Sequence, residues 1–279
     1  MFSKDISETS LLPYINKTYT ELLDQATALS TQYQQADPFP NIYFENFFAP
    51  NFLSQVLDEF TSLKEKQQIR EFNNKNEKKI GITHELALGP KTREMLHFLN
   101  SQPFLDFLEA LTGIENLIPD PAFVGGGCHE TLPGGYLKIH SDFNKHGATD
   151  LDRRLNILVY LNKDWKEEYG GHFELWDTEM KAQVKKVMPN FNTLAMFSTT
   201  SNSYHGHPDP LNCPEGRSRK SLALYYYTNG RPAEEIIKGK EKHSTLFKAR
   251  PSDPNEVLIK KNPTFVRKVL RKIKKTLVN

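Results

Sequence analysis

Cysteine is nearly missing from this sequence. Cys128 and Cys213 are its only two, they lie far apart, and no Cys-x-x-Cys spacing occurs, which excludes a zinc knuckle or a disulfide scaffold and suits a reducing, cytoplasmic setting. Also missing is any apolar run long enough to span a bilayer. The start, Met1-Phe2-Ser3-Lys4-Asp5-Ile6, lacks the apolar stretch of a signal peptide. The run Val124-Gly125-Gly126-Gly127-Cys128 has no Lys-Ser/Thr after it, so it reads as a turn or strand bulge and not as a phosphate loop. The formal net charge is only +2, and basic residues are not interleaved with aromatics, so no nucleic-acid partner is expected. What remains is 279 residues with 38% apolar content, enough to bury one sizeable core with extensions.

The chemistry concentrates in Gly134-Gly135-Tyr136-Leu137-Lys138-Ile139-His140-Ser141-Asp142. On a strand, residues two apart share a face with Cα atoms about 6.6 Å apart, so His140 and Asp142 can grip one ion. A third ligand is needed, and Ser203-Tyr204-His205-Gly206-His207-Pro208 offers two, His205 and His207. Two histidines, one carboxylate and open positions form the ligand set of non-haem Fe(II) oxygenases. Further on, Arg217-Ser218-Arg219-Lys220-Ser221-Leu222-Ala223-Leu224-Tyr225-Tyr226-Tyr227-Thr228 reads as a strand entering a buried sheet. Arg219 and Ser221 share one of its faces, and a guanidinium fork beside a hydroxyl suits a carboxylate. Tyr136 shares the parity of His140 and is a candidate for hydrogen-bonding a cosubstrate. Lys138 is a candidate rim charge, and Arg154 and Asn156 are candidates for the mouth. His84, His97, His129, His146, His172 and His243 show no ligand spacing and are expected to be structural or exposed.

In order, the glycine-led His-x-Asp, Arg-Leu-Asn-Ile-Leu-Val-Tyr-Leu-Asn at 154–162, Gly170-Gly171-x-Phe-Glu-Leu, Ser-x-His and Arg-x-Ser-Leu resemble the Fe(II)/2-oxoglutarate dioxygenases of the prolyl hydroxylase type. The resemblance covers roughly residues 120 to 230. It implies a double-stranded β-helix, a jelly-roll barrel with the metal at an open end. It also implies that His140, Asp142 and His205 bind Fe(II), while Arg219 and Ser221 hold the distal carboxylate of 2-oxoglutarate. By the same resemblance O2 is consumed, ascorbate serves as reductant, and succinate and CO2 are released as a C–H bond is hydroxylated. Asp142 stands where related halogenases have a small residue, which favours hydroxylation. The substrate class stays open among a prolyl residue, an amino acid, a sugar or another small molecule. Two other readings stand beside this one: an inert jelly-roll binding module, and a metal hydrolase, which would leave Arg219-x-Ser221 without a role.

The expected fold class is α+β with a mainly β core. An N-terminal support region (1–119) carries helices over 13–36, 50–63, 91–99 and 104–111, set by apolar residues three or four apart, with a strand over Ile42 to Phe48. From Lys64 to Lys79 charge and asparagine predict a solvated loop. The core (120–230) is expected to hold strands at 136–140, 155–161, 172–176, 184–187, 194–197 and 222–227, and 231–279 is a C-terminal extension. Residues 260–279 hold eight basic side chains and no acidic one. Opened by Pro263, they pattern as an amphipathic helix that either docks on the barrel or lies on an anionic membrane.

Overall fold

The helices form where apolar spacing and capping agree. In the computed structural model, which describes residues 6–60 and 69–253, α1 (Tyr19–Gln34) starts at Thr18. The Thr18 hydroxyl accepts the Glu21 N–H at 3.3 Å and the Glu21 carboxylate accepts the Thr18 N–H at 2.7 Å, a reciprocal cap worth about 1 kcal/mol. Both α2 (Pro50–Glu59) and α3 (Pro90–Leu99) open on proline, where a missing N–H costs nothing. Glu59 accepts the backbone N–H groups of Lys91 and Thr92 at 2.8 Å each, placing a carboxylate on the unpaired amides that begin α3. The fourth helix, α4 (Gln102–Thr112), ends at Gly113 with φ 71°. No helix among the described residues is long and apolar enough to cross a membrane.

The strands are β1 (Asn41–Glu45), β2 (Arg70–Asn73), β3 (Glu77–Ile82), β4 (Ile118–Pro119), β5 (Gly127–Thr131), β6 (Tyr136–Ser141), β7 (Asp152–Tyr160), β8 (Phe173–Trp176), β9 (Gln183–Val187), β10 (Thr193–Ser198), β11 (His205–His207), β12 (Arg219–Thr228) and β13 (Leu246–Phe247). Hydrogen bonds connect them in the order β1-β10-β7-β12-β5-β3-β6-β11-β8-β9. One layer is therefore β10-β7-β12-β5 and the other β6-β11-β8-β9, with β3 bridging β5 to β6. From β5 to β12 the chain passes repeatedly between the layers, and the result is an antiparallel jelly roll, the double-stranded β-helix.

Alternation sorts the two faces of the first layer. Leu155, Ile157, Val159, Leu194, Met196, Leu222 and Leu224 face outward and share one core with the buried faces of α1 to α4. Their neighbours Asn156, Leu158, Ser221, Ala223 and Tyr225 face the barrel interior, where the cavity lies. The helices thus stiffen the sheet from behind and leave its inner face free for chemistry.

One expectation needs adjustment. Residues 70–79, expected as loop, lie in the β2–β3 hairpin: β3 pairs with both β5 and β6, and this tertiary pairing outweighs its charged composition. The proposed C-terminal helix lies outside the described residues. Within residues 231–253 of the C-terminal extension, β13 pairs with β6. The glycine run behaves as a turn into β5. A Cβ on Gly127, at φ 84°, would stand 2.2 Å from the Ile82 carbonyl oxygen, so only glycine lets β3 and β5 approach there.

Candidate active site

His140, one residue before the end of β6, faces His205, its partner across the β6–β11 ladder, with ring centroids 4.4 Å apart. Asp142 lies two residues past His140 on the same side. Its Oδ1 is 3.5 Å from His140 Nε2 and its Oδ2 is 3.5 Å from His205 Nε2, and one ligand atom from each residue lies within 4.8 Å of the others. The backbone orients both rings. His140 Nδ1 meets the Lys138 carbonyl at 2.8 Å and His205 Nδ1 meets the Ser203 carbonyl at 3.0 Å. A carbonyl only accepts, so each Nδ1 carries the hydrogen and each Nε2 presents its lone pair to the common point. Burial pushes the His205 pKa down to about 3, reinforced by neighbouring His140, which keeps that imidazole neutral as a ligand must be.

Asp142 is held from its other side. Arg153 Nη2 donates to Oδ2 at 2.7 Å, and Asn156 Nδ2 donates to the same oxygen at 3.2 Å. Burial works against the carboxylate, but Arg153, His205 and His140 together hold its pKa well below the usual range. Arg153 is fully buried, with its guanidinium carbon 3.4 Å from the Tyr225 ring centroid and 4.5 Å from that of Phe143.

The far end of the same cavity is cationic. Arg219 donates through Nε to the Gly171 carbonyl at 2.7 Å and through Nη2 to the Tyr160 hydroxyl at 3.0 Å. Both its bonds go to neutral groups, and among the described residues it forms no ion pair. A buried guanidinium without an anion is costly, so the arrangement calls for an anionic ligand. Ser221, Thr131, His129 and Lys79 line this end together with Arg219. The donor set and the unneutralised cation therefore fit Fe(II) at one end and a dicarboxylate reaching to the other.

The structure brings His140, Asp142, His205, Arg219 and Ser221 to this one cavity but not Tyr136, which must be corrected. Its hydroxyl donates to the Asn74 carbonyl at 3.0 Å, outside the cavity lining. The cause is a bulge in β6: His205 pairs with His140 whereas His207 pairs with Leu137, so three residues of β6 oppose two of β11 and the parity reverses. Leu137, not Tyr136, lines the cavity. Gly206 permits this, because a Cβ there would stand 2.7 Å from the Leu137 carbonyl oxygen. His207 also lines the cavity, but it is not part of the three-residue ligand cluster. Its Nδ1 is buried and, among the described residues, has no hydrogen-bond partner.

Arg217 turns away to the Asp164 carbonyl at 3.2 Å, and Arg154 pairs with Glu235 at 2.8 Å. Lys138 lies over the Tyr136 ring. Asn156 reaches the site as expected, and His129, expected to be structural or exposed, lines the cavity. Sequence reasoning missed Arg153, because a second bulge intervenes. Tyr226 pairs with Leu155 but Tyr227 pairs with Arg153, so Arg153 joins the face of Asn156 and Arg154 does not. Tyr160 was hidden in an apolar run, where a tyrosine reads as core.

Residues 126–227 match the family model of the 2OG-Fe(II) oxygenase superfamily. The chain is 25% identical over 197 residues to the prolyl 3-hydroxylase OGFOD1 of Mus musculus, covering 68% of this chain and 33% of that protein. It is 24% identical over 228 residues to the prolyl 3,4-dihydroxylase OGFOD1 of Ostreococcus tauri, covering 75% of this chain and 41% of that one. The chain thus spans well under half the length of these curated relatives. Among solved structures, a prolyl hydroxylase from Trichoplax adhaerens in complex with a peptide fragment of the hypoxia inducible factor oxygen degradation domain aligns with TM-score 0.54 at 18% identity. That alignment covers 76% of this chain and 93% of that one. Over residues 126–227 the barrel is thus similar to the 2OG-Fe(II) oxygenase superfamily, and the chain resembles prolyl hydroxylases.

Proposed function

We propose that this chain is an Fe(II)- and 2-oxoglutarate-dependent dioxygenase that hydroxylates a prolyl residue of a peptide or protein, releasing succinate and CO2. The observation that carries the reading is the cavity itself, with three convergent ligand atoms at one end and an unneutralised buried arginine at the other. Fe(II), when bound, supplies the redox chemistry that couples decarboxylation of 2-oxoglutarate by O2 to insertion of one oxygen atom into a C–H bond. The protein's own residues bind and orient. His140 and His205 present neutral Nε2 atoms, Asp142 adds one negative charge, and the remaining positions stay open to the cosubstrate and O2. Arg219 takes the distal carboxylate through its fork, with Ser221 as a second donor beside it. Tyr160 and the Gly171 carbonyl fix that fork in advance, so less side-chain freedom is lost on binding.

The prolyl substrate rests on the names of the similar proteins, the mouse and algal hydroxylases and the Trichoplax enzyme with its bound peptide. Ascorbate would serve as reductant. Both cysteines are free and buried, which suits a reducing compartment such as the cytoplasm, and peripheral contact with an anionic membrane through residues 260–279 belongs to the same proposal. The test is succinate release from purified protein with proline-containing peptides, and with free amino acids and sugars for comparison. Stimulation that requires both Fe(II) and 2-oxoglutarate is the expected result. Turnover of a proline peptide without 2-oxoglutarate would sink the reading.

A further inference from the structure

Residues 240–250 touch every segment that carries a ligand of the triad. At β6, Phe247 pairs with His140 and Leu246 with Ser141, the Phe247 and His140 rings lie 5.4 Å apart, and the Lys248 N–H donates to the Ile139 carbonyl at 2.8 Å. Two residues past Asp142, Asn144 Nδ2 donates to the carbonyls of Lys240 at 2.8 Å and Glu241 at 3.2 Å, and its Oδ1 accepts the His243 N–H at 2.8 Å. Before His205, Ser201 Oγ meets His243 Nε2 at 2.8 Å. After it, the Asp209 carboxylate is gripped by Arg250 through two bonds of 2.7 and 3.0 Å.

We propose that residues 240–250 form a positioning strap that retains the metal, with Phe247 packed on His140 as its central contact. The inference rests on the iron reading above but concerns residues beyond the 126–227 family match. A metal leaves when a ligand swings away, and such swings require local opening of the segments that bear them. Each of these segments is tied to the strap. His140 is flanked by His205 on one side and Phe247 on the other, so its imidazole has little room to turn.

The experiment loads full-length protein with Co(II), mixes it with excess chelator and follows metal release, beside melting curves of the metal-free forms. Phe247→Ala and Arg250→Ala should release metal about tenfold faster, in the range of losses seen when the groups that orient metal ligands are removed. Phe247→Leu, which keeps an apolar cover, should recover most of the retention. Metal-free melting should change little, because Phe247 and Arg250 are only partly buried. Release within twofold of wild type in both alanine variants overturns the strap. Equal acceleration by Tyr14→Ala, which disturbs the helical layer on the other side of the sheet, also overturns it, since the effect would then be general destabilisation. Wild-type protein that binds no Co(II) or Fe(II) would sink the metal reading itself.

Discussion

Arg153 and Asp142 form a buried pair whose 2.7 Å hydrogen bond leaves one carboxylate oxygen for a metal. Arg153 and Asn156 both spend their bonds on Oδ2, so Oδ1 is the oxygen free to coordinate. Two effects oppose each other if the arginine is lost. Removing its positive charge would tighten cation binding, whereas releasing the carboxylate would loosen it. Orientation should dominate, because groups that orient metal ligands typically affect affinity by about 10–100-fold. Arg153→Gln is expected to weaken Fe(II) binding by about that much in titrations of metal-free protein. Tighter binding would show that only charge was at work.

His205 and His207 share strand parity, and alternation alone does not separate them. The structure groups His205, but not His207, with His140 and Asp142 as residues whose ligand atoms converge closely enough to hold one metal ion. His205→Ala should therefore abolish Fe(II) binding and coupled succinate formation, while His207→Ala should still bind the metal. Equilibrium dialysis with Fe(II) under anaerobic conditions tests this, and the reverse pattern would reassign the ligand.

The sequence made legible whatever depended on local pattern. His140 and Asp142 follow from a spacing of two, and α1 to α4 follow from apolar spacing. Arg219 with Ser221 follows from strand alternation, because β12 is regular where they stand and its register shifts only between Tyr226 and Tyr227. Illegible features were those set by partners distant in sequence. Bulges in β6 and β7 reversed parity, which removed Tyr136 from the cavity and brought in Arg153. A bulge is an accommodation between two strands, and neither strand announces it alone. The charged β2–β3 hairpin was missed for the same reason, as its order comes from pairing with β5 and β6.

Tyr136→Phe should leave the apparent requirement for 2-oxoglutarate within about twofold. The lost phenol hydrogen bond, to the Asn74 carbonyl, is worth about 1 kcal/mol of stability at most. Steady-state succinate assays over a range of 2-oxoglutarate concentrations decide it, and a large rise in that requirement would return Tyr136 to the site.

Acid should destabilise the metal-free protein through its buried imidazoles. Burial first, then Arg219 for His207 and Lys79 for His129, keeps these two neutral, with His129 and His205 pushed down to about 3 and His207 well below its ordinary value. In the unfolded chain all three titrate near about 6.5. Below that pH the unfolded state binds more protons, so stability falls as pH drops below about 6.5, through a window reaching about 3 for His129 and His205 and in the same direction for His207. Asp142 acts in a lower window. Its depressed pKa contributes stability above about 3.9 that is lost as pH falls through the folded value. Melting temperature should decline from pH 7 to pH 5, and His129→Gln should make that decline shallower. A flat profile would mean that these rings are solvated in solution.

Arg219 provides the sharpest test of the cosubstrate end. It is buried, and its two bonds, to Tyr160 and to the Gly171 carbonyl, leave its charge unneutralised. A hydrogen bond to a charged group is worth about 1.5 to 3 kcal/mol, so Arg219→Ala should raise the apparent 2-oxoglutarate requirement by about one to two orders of magnitude. Fe(II) affinity should stay the same, since Arg219 is not one of the clustered ligands. Arg219→Lys keeps charge but loses the planar fork, and the ammonium gives up the paired contacts to Tyr160 and Gly171, so it should recover only part of the loss. Tyr160→Phe should fall between wild type and Arg219→Lys, because it frees the fork without removing it. An unchanged 2-oxoglutarate requirement in Arg219→Ala, with iron still bound, would place the carboxylate anchor at another cavity cation, with Lys79 the next to replace.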